Sequence, residues 1–217
     1  MSFKVANGVV AAWMVSTASI GLAAGIPGYV PFGTPTFIGT GCNKNTVAFQ
    51  AGEDAFTLLF TEAYEVWAGQ GAKARDMVKN CVVSMPINVP AGYQVAIETI
   101  DYNGFVDATE GGQASFLSWY VLTGKGFADT GTSKQSVFKG PIFDEDGFPG
   151  KTWQRRDVSS TKKPEKRWSR CGGKHNLVLA SHMIATARKG GNALLKLDAT
   201  DGVASLRYGT TWRACKG

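Results

Sequence analysis

NCVVSMPINVPAGYQVAIETI, residues 80–100, decides the fold class. Two β-rich runs, 80–89 and 93–100, are joined by Pro90-Ala91-Gly92. That is a turn composition, because proline presets φ and glycine accepts either sign. In the second run Tyr93, Val95 and Ile97 fall on one face at the two-residue spacing of a strand. Pro86 has no N–H to give to a ladder, which predicts an edge position or a bulge. The same grammar recurs on either side. Phe56, Leu58 and Phe60 alternate, and Gly111-Gly112 opens a run from Ala114 to Leu122 that is apolar on both faces. This predicts a central strand covered on each side. Residues 135–143, interrupted by Gly140-Pro141, residues 177–184, 193–197 and 203–213 complete the pattern. A helical turn is predicted only within 61–78, where Gly69 and Gly71 interrupt it; a helix over 177–189 is the one competing assignment. Many short strands with glycine-rich turns predict an all-β protein, an antiparallel β-sandwich or jelly roll.

Composition agrees. The chain has 217 residues, 27 of them glycine, and only 18% charged. This suits a single turn-rich β domain and argues against disorder. Residues 1–24 read as a secretory signal: Lys4, an apolar stretch over 9–23, and small residues before cleavage after Ala23 or Ala24. Residues 25–41, with three prolines and five glycines, read as an extended arm leading to one domain at 42–217. Export places Cys42, Cys81, Cys171 and Cys215 in an oxidising compartment, where they are expected to form two disulfides. Four cysteines allow three connectivities. Pairing neighbours along the chain, Cys42–Cys81 and Cys171–Cys215, is favoured over the other two. There is no C-x-x-C, so no metal site is expected.

The net charge of +6 is local. Residues 151–170 carry eight Lys/Arg and two acids, which accounts for all of it. The simple reading is a solvated basic loop. Its functional reading is a polyanion site built from Arg155, Arg156, Lys162, Lys163, Lys166 and Arg167, for acidic glycan or anionic lipid, with nucleic acid the least favoured after export.

Few motifs carry chemistry. Asp101-Tyr102-Asn103-Gly104 reads as a hairpin turn through Asn-Gly. As a site, its exposed Asp101, Tyr102 and Asn103 would hydrogen-bond and stack on a sugar. Asp144-Glu145-Asp146-Gly147 is oxygen-rich but stops short of a calcium-loop pattern, and a turn suffices. Ser159-Ser160-Thr161-Lys162 matches S-x-x-K without its companion motifs. His175 and His182, seven apart in a strand, face opposite sides and cannot share a metal. Glu62, Glu65, Asp101 and Glu110 are carboxylates with nothing to rank them. Trp67 and Trp153 are the tryptophans considered for sugar stacking. No catalytic residue, cofactor or metal ligand is assigned.

The order of landmarks resembles a secreted family of fungi and bacteria known as domain of unknown function 4360. The carried features are Gly41-Cys42, Thr46-Val47, Phe56–Phe60, Gly71 with Arg75, Asn80-Cys81 and Pro90-Ala91-Gly92-Tyr93. They continue with Asp101-Tyr102-Asn103-Gly104, Gly111-x-x-Ala114, Gly140-Pro141, Trp168-Ser-Arg-Cys171 and Trp212-Arg-Ala-Cys215. Asn103 stands where the family pattern has arginine. The resemblance implies a small secreted, disulfide-containing β domain and no reaction. The expected function is a non-catalytic extracellular binding or structural module, with a glycan or cell-surface component, or a second copy, as partner. The alternatives are a secreted polysaccharide or cell-wall hydrolase and a membrane- or polyanion-binding defence protein.

Overall fold

The computed structural model describes residues 29, 31–60, 64–124, 127–130, 133–158, 168–188, 190–197 and 204–215. The expected signal at 1–24, the first part of the arm, the Ser159–Lys162 motif, and Lys162, Lys163, Lys166 and Arg167 lie outside them. In chain order the strands are β1 (Thr36–Ile38), β2 (Val47–Ala51), β3 (Ala55–Phe60), β4 (Tyr64–Ala68), β5 (Val78–Val89), β6 (Tyr93–Ala108) and β7 (Gly112–Gly124). They continue with β8 (Phe127–Thr130), β9 (Lys134–Lys139), β10 (Lys151–Val158), β11 (Gly173–Ala187), β12 (Ala193–Leu197) and β13 (Ala204–Ala214). One helical turn, α1 (Ala74–Met77), precedes β5.

These strands form two antiparallel sheets packed face to face. The smaller runs β1-β5-β11-β7, with β8 and β9 both pairing with the far edge of β7. The larger runs β2-β3-β13-β6-β12-β4, with β10 on the other side of β6. Both inner faces are apolar at alternate positions, as Phe56, Leu58 and Phe60 of β3 and Leu177, Leu179 and Met183 of β11 illustrate. Phe116 of β7 meets Tyr102 of β6 and Trp153 of β10 across the interior, with ring centroids 5.1 and 5.6 Å apart.

The predicted strand at 80–89 is β5. Neither a bulge nor the sheet's outermost position accommodates Pro86. Its carbonyl accepts the N–H of Gly33 at 2.8 Å, so its missing N–H also faces the arm ahead of β1 rather than the ladder with β11. The competing helix over 177–189 is replaced by β11. Residues 64–68, placed in a helical region by sequence, form β4 with Tyr64, Val66 and Ala68 inward. The run 114–122 is not covered on both sides. β7 is flanked by strands on both edges, but Leu117, Trp119 and Val121 lie on the outer face of its sheet, and Trp119 is exposed.

The disulfides close as Cys42–Cys81 and Cys171–Cys215. Each sits where the chain changes sheet. Cys42, on the connection from β1 to β2, is fastened to β5. Cys171, just before β11, is fastened to the end of β13.

Candidate functional site

Asp101-Tyr102-Asn103-Gly104 does not turn. It lies inside the sixteen-residue strand β6. Two local events place its side chains. First, the register with β13 shifts between Gly209 and Thr210, where Thr99 and Ile97 are paired and Glu98 is skipped. A bulge of this kind flips every later side chain to the opposite face. Val95 and Ile97 point inward before it, Ile100 and Tyr102 after it. Second, Gly104 leaves room for the indole of Trp153 against the strand. A Cβ there would sit 2.5 Å from Trp153 Nε1 and from the Lys196 carbonyl oxygen. The Asn-Gly pair therefore serves close packing, not a reversal.

The basic stretch is likewise no loop at its start. Lys151–Val158 is β10, paired with β6 so that Gln154 faces Asn103, Arg155 faces Tyr102 and Arg156 faces Asp101. This register joins the two groups of candidates from sequence and then sorts them by face.

Tyr102 and Arg155 turn inward. The Tyr102 ring is buried, so it offers no sugar-stacking surface. The Arg155 side chain is 14% exposed and its Nη2 pairs with Asp157 Oδ2 at 3.1 Å. Arg155 also donates to Ser118 Oγ at 2.6 Å and Ser136 Oγ at 3.0 Å, both on the opposite sheet. Its guanidinium carbon stacks 4.4 Å from the Tyr102 ring centroid, and the Tyr102 hydroxyl is 2.7 Å from Ser118 Oγ. Lys134 Nζ lies 3.3 Å from Asp157 Oδ1. Arg155 thus clasps the two sheets together, with its guanidinium engaged inside the sandwich. Burial, against the lowering effect of the Ser118 hydrogen bond, pushes the Tyr102 phenol up to about 12. Burial also raises the phenols of Tyr64 and Tyr208 above their ordinary value.

These tyrosines predict an alkaline limit. Below pH 10 the phenols are neutral in both folded and unfolded chains. Above about pH 10 the unfolded chain loses its phenolic protons while the folded one keeps them, Tyr102 up to about 12. Stability therefore falls as pH rises through that window, by about 1.4 kcal/mol per pH unit for each tyrosine. Urea midpoints at pH 9 and pH 11 should show the loss, with Tyr102 ionising only as the fold gives way. Equal midpoints would contradict the burial of these phenols.

Asp101, Asn103, Gln154 and Arg156 point outward. A row crosses the larger sheet from Thr57 on β3 through Arg207 on β13 and Asp101 on β6 to Arg156 on β10. At the usual strand spacing it spans roughly 14 Å. Arg156 Nε reaches Asp101 Oδ1 at 3.1 Å, and Arg207 Nη1 lies 4.0 Å from Oδ2. Together with Leu59, Asn103 and Gln154 this row lines an open cleft of about 630 Å³. Sequence could not nominate Arg207, Gln154 or Thr57, which come from three strands and carry no local motif.

Other candidates fall elsewhere. Trp153 is buried, and Trp67 lies on the outer face of the larger sheet beside Leu194. His175 is buried and its Nε2–H donates to the Gly172 carbonyl, 3.1 Å away; His182 lies on the opposite face of β11. Asp144 Oδ1 accepts the N–H groups of Asp146 and Phe148, so it organises its own turn. Among the described residues no three His, Cys, Asp or Glu side chains gather to hold a metal ion.

The sheets, their facing cores and the two cross-links define the class: a disulfide-stabilised antiparallel β-sandwich. Residues 33–215 match the model of a family described as domain of unknown function (DUF4360), and the chain belongs to that family. An uncharacterized secreted protein of Arthroderma benhamiae is 27% identical over 183 residues, covering 83% of this chain and 69% of the relative. With both disulfides closed, this identifies an extracellular protein. Among solved structures the chain is similar to TmCBM61 in complex with beta-1,4-galactotriose, at 13% identity and TM-score 0.25, over 81% of this chain and 88% of that one. It is also similar to TmCBM27, a carbohydrate-binding module with specific mannan recognition, at 10% identity and TM-score 0.32, over 90% and 86%. Likeness at this level carries no weight for the function.

Proposed function

We propose that the protein is a non-catalytic extracellular module that binds a glycan in the cleft of the larger sheet. The observation that carries this reading is the convergence of Asp101, Asn103, Gln154, Arg156 and Arg207 on one face. Amide, guanidinium and carboxylate groups together offer donors and acceptors, and sugar hydroxyls need both. All five side chains are carried on paired strands rather than on a loop, which lowers the ordering cost of binding.

The same geometry disfavours the hydrolase alternative. Glycoside hydrolysis needs two carboxyl groups about 5–9.5 Å apart. Asp101 is the one carboxylate among the lining residues, and Arg156 holds it in an ion pair. A hydrolytic role requires a second carboxylate that this cleft lacks among the described residues.

Calorimetric titration of the mature protein against a panel of soluble polysaccharides tests the reading. Binding to at least one glycan is expected, and Asn103→Ala with Gln154→Ala should weaken it more than tenfold while leaving the melting temperature within about 2 °C, since both side chains are on the outer face. Binding unaffected by the pair, or release of reducing ends from the bound polysaccharide, would overturn it.

A further inference from the structure

We infer that the glycan is acidic and that Arg156 and Arg207 receive the carboxylate of a uronic acid residue; this rests on the glycan reading above. The first support is what lines the cleft. Apart from Leu59, the outward-facing lining residues are polar or charged, and no exposed aromatic ring is among them. A neutral sugar is commonly held by laying its C–H face on such a ring. Recognition in this cleft must come from hydrogen bonds and charge instead, which favours a charged ligand.

The second support is how the guanidinium groups are occupied. The Arg156 and Arg207 side chains are 62% and 52% exposed, and both lean on Asp101. Asp101 has two oxygens, while each guanidinium carries five N–H donors in a planar fork. Arg156 meets Asp101 through Nε, so its terminal Nη1/Nη2 pair keeps its geometry for a second carboxylate. Arg207 is 4.0 Å from Oδ2, a loose contact that a ligand can displace or share. Asp101 then acts as the strut that holds both forks in place. Two arginines against one carboxylate leave the row with one net positive charge. Planar two-point pairing is the geometry in which arginine outperforms lysine.

The test compares three probes of matched length: an oligogalacturonate, the same oligosaccharide fully methyl-esterified, and a neutral galactan oligosaccharide. Esterification removes the charge and keeps the sugar. The oligogalacturonate should bind at least tenfold more tightly than either other probe. Its affinity should fall about tenfold for each of Arg156→Gln and Arg207→Gln, and fall with added salt. Equal binding of all three probes, lost in the Asn103→Ala/Gln154→Ala protein, would overturn the acidic assignment and leave the glycan reading intact. Oligogalacturonate binding that survives both arginine substitutions but disappears when Lys162, Lys163, Lys166 and Arg167 become serine would also overturn it, by moving the site to the basic segment. Binding of no glycan in the panel would reject both readings.

Discussion

Replacing both Cys42 and Cys81 with alanine should cost about 4 kcal/mol of stability. Cross-linking the two residues closes a loop of 39 residues, and the chain-entropy model assigns a loop of that size about 4 kcal/mol. The second bridge, closing 44 residues, carries a similar value. A protein of this kind has a total stability on the order of 5–15 kcal/mol. Loss of one bridge should therefore lower the urea midpoint markedly, and loss of both should leave the chain unfolded near body temperature. The two bridges should differ in access. Cys42 and Cys81 are 2% exposed, whereas Cys171 is exposed. Mild reductant should open Cys171–Cys215 in the native protein and spare Cys42–Cys81 until denaturant is added. An unchanged midpoint in the Cys42→Ala/Cys81→Ala protein would contradict the role given to that cross-link.

Arg155→Met should cost about 3–5 kcal/mol, the usual penalty for breaking a buried ion pair from one side. Asp157, with a 9% exposed side chain, would keep only Lys134 as an ion-pair partner among the described residues. Ser118 and Ser136 would lose their arginine donor across the sheet interface. At roughly 2–4 °C per kcal/mol for a chain of this size, the melting temperature should drop about 6–20 °C. The double variant Arg155→Met/Asp157→Asn should recover a substantial part of the loss, because the stranded charge is gone. A drop of under 2 °C for Arg155→Met would show that the clasp adds nothing to the packing of the two sheets. Glycan binding by surviving folded protein should be little changed, which separates Arg155 from its outward neighbour Arg156.

Where polarity and face agree, the fold can be read directly from the residues. Phe56, Leu58 and Phe60 announce β3, and Pro90-Ala91-Gly92 announces the turn between β5 and β6. The errors come from places where one local signal serves two purposes. Asn103-Gly104 looks like a hairpin because glycine there usually means positive φ; in the folded chain it means room for Trp153. β10 looks like a solvated loop because its inward positions include Arg155 and Asp157. A strand whose polar residues face the interior reverses the pattern on which strand assignment depends. The bulge at Glu98 is a third case. It shifts the phase within β6, so the face predicted from Tyr93, Val95 and Ile97 is the wrong guide to Tyr102. The cleft is half legible: two unrelated stretches of sequence point to Asp101, Asn103 and Arg156. Their convergence, and the contribution of Arg207, depends on strand order, which no local spacing encodes.

Backbone amide chemical-shift mapping of the mature protein during titration with oligogalacturonate tests the central claim most directly. Shifts should concentrate on residues 101–103, 154–156 and 207, with the outer face of the smaller sheet around Ile38 and Trp119 unmoved. Shifts confined to that opposite face, with the β6–β10 row silent, would contradict the site.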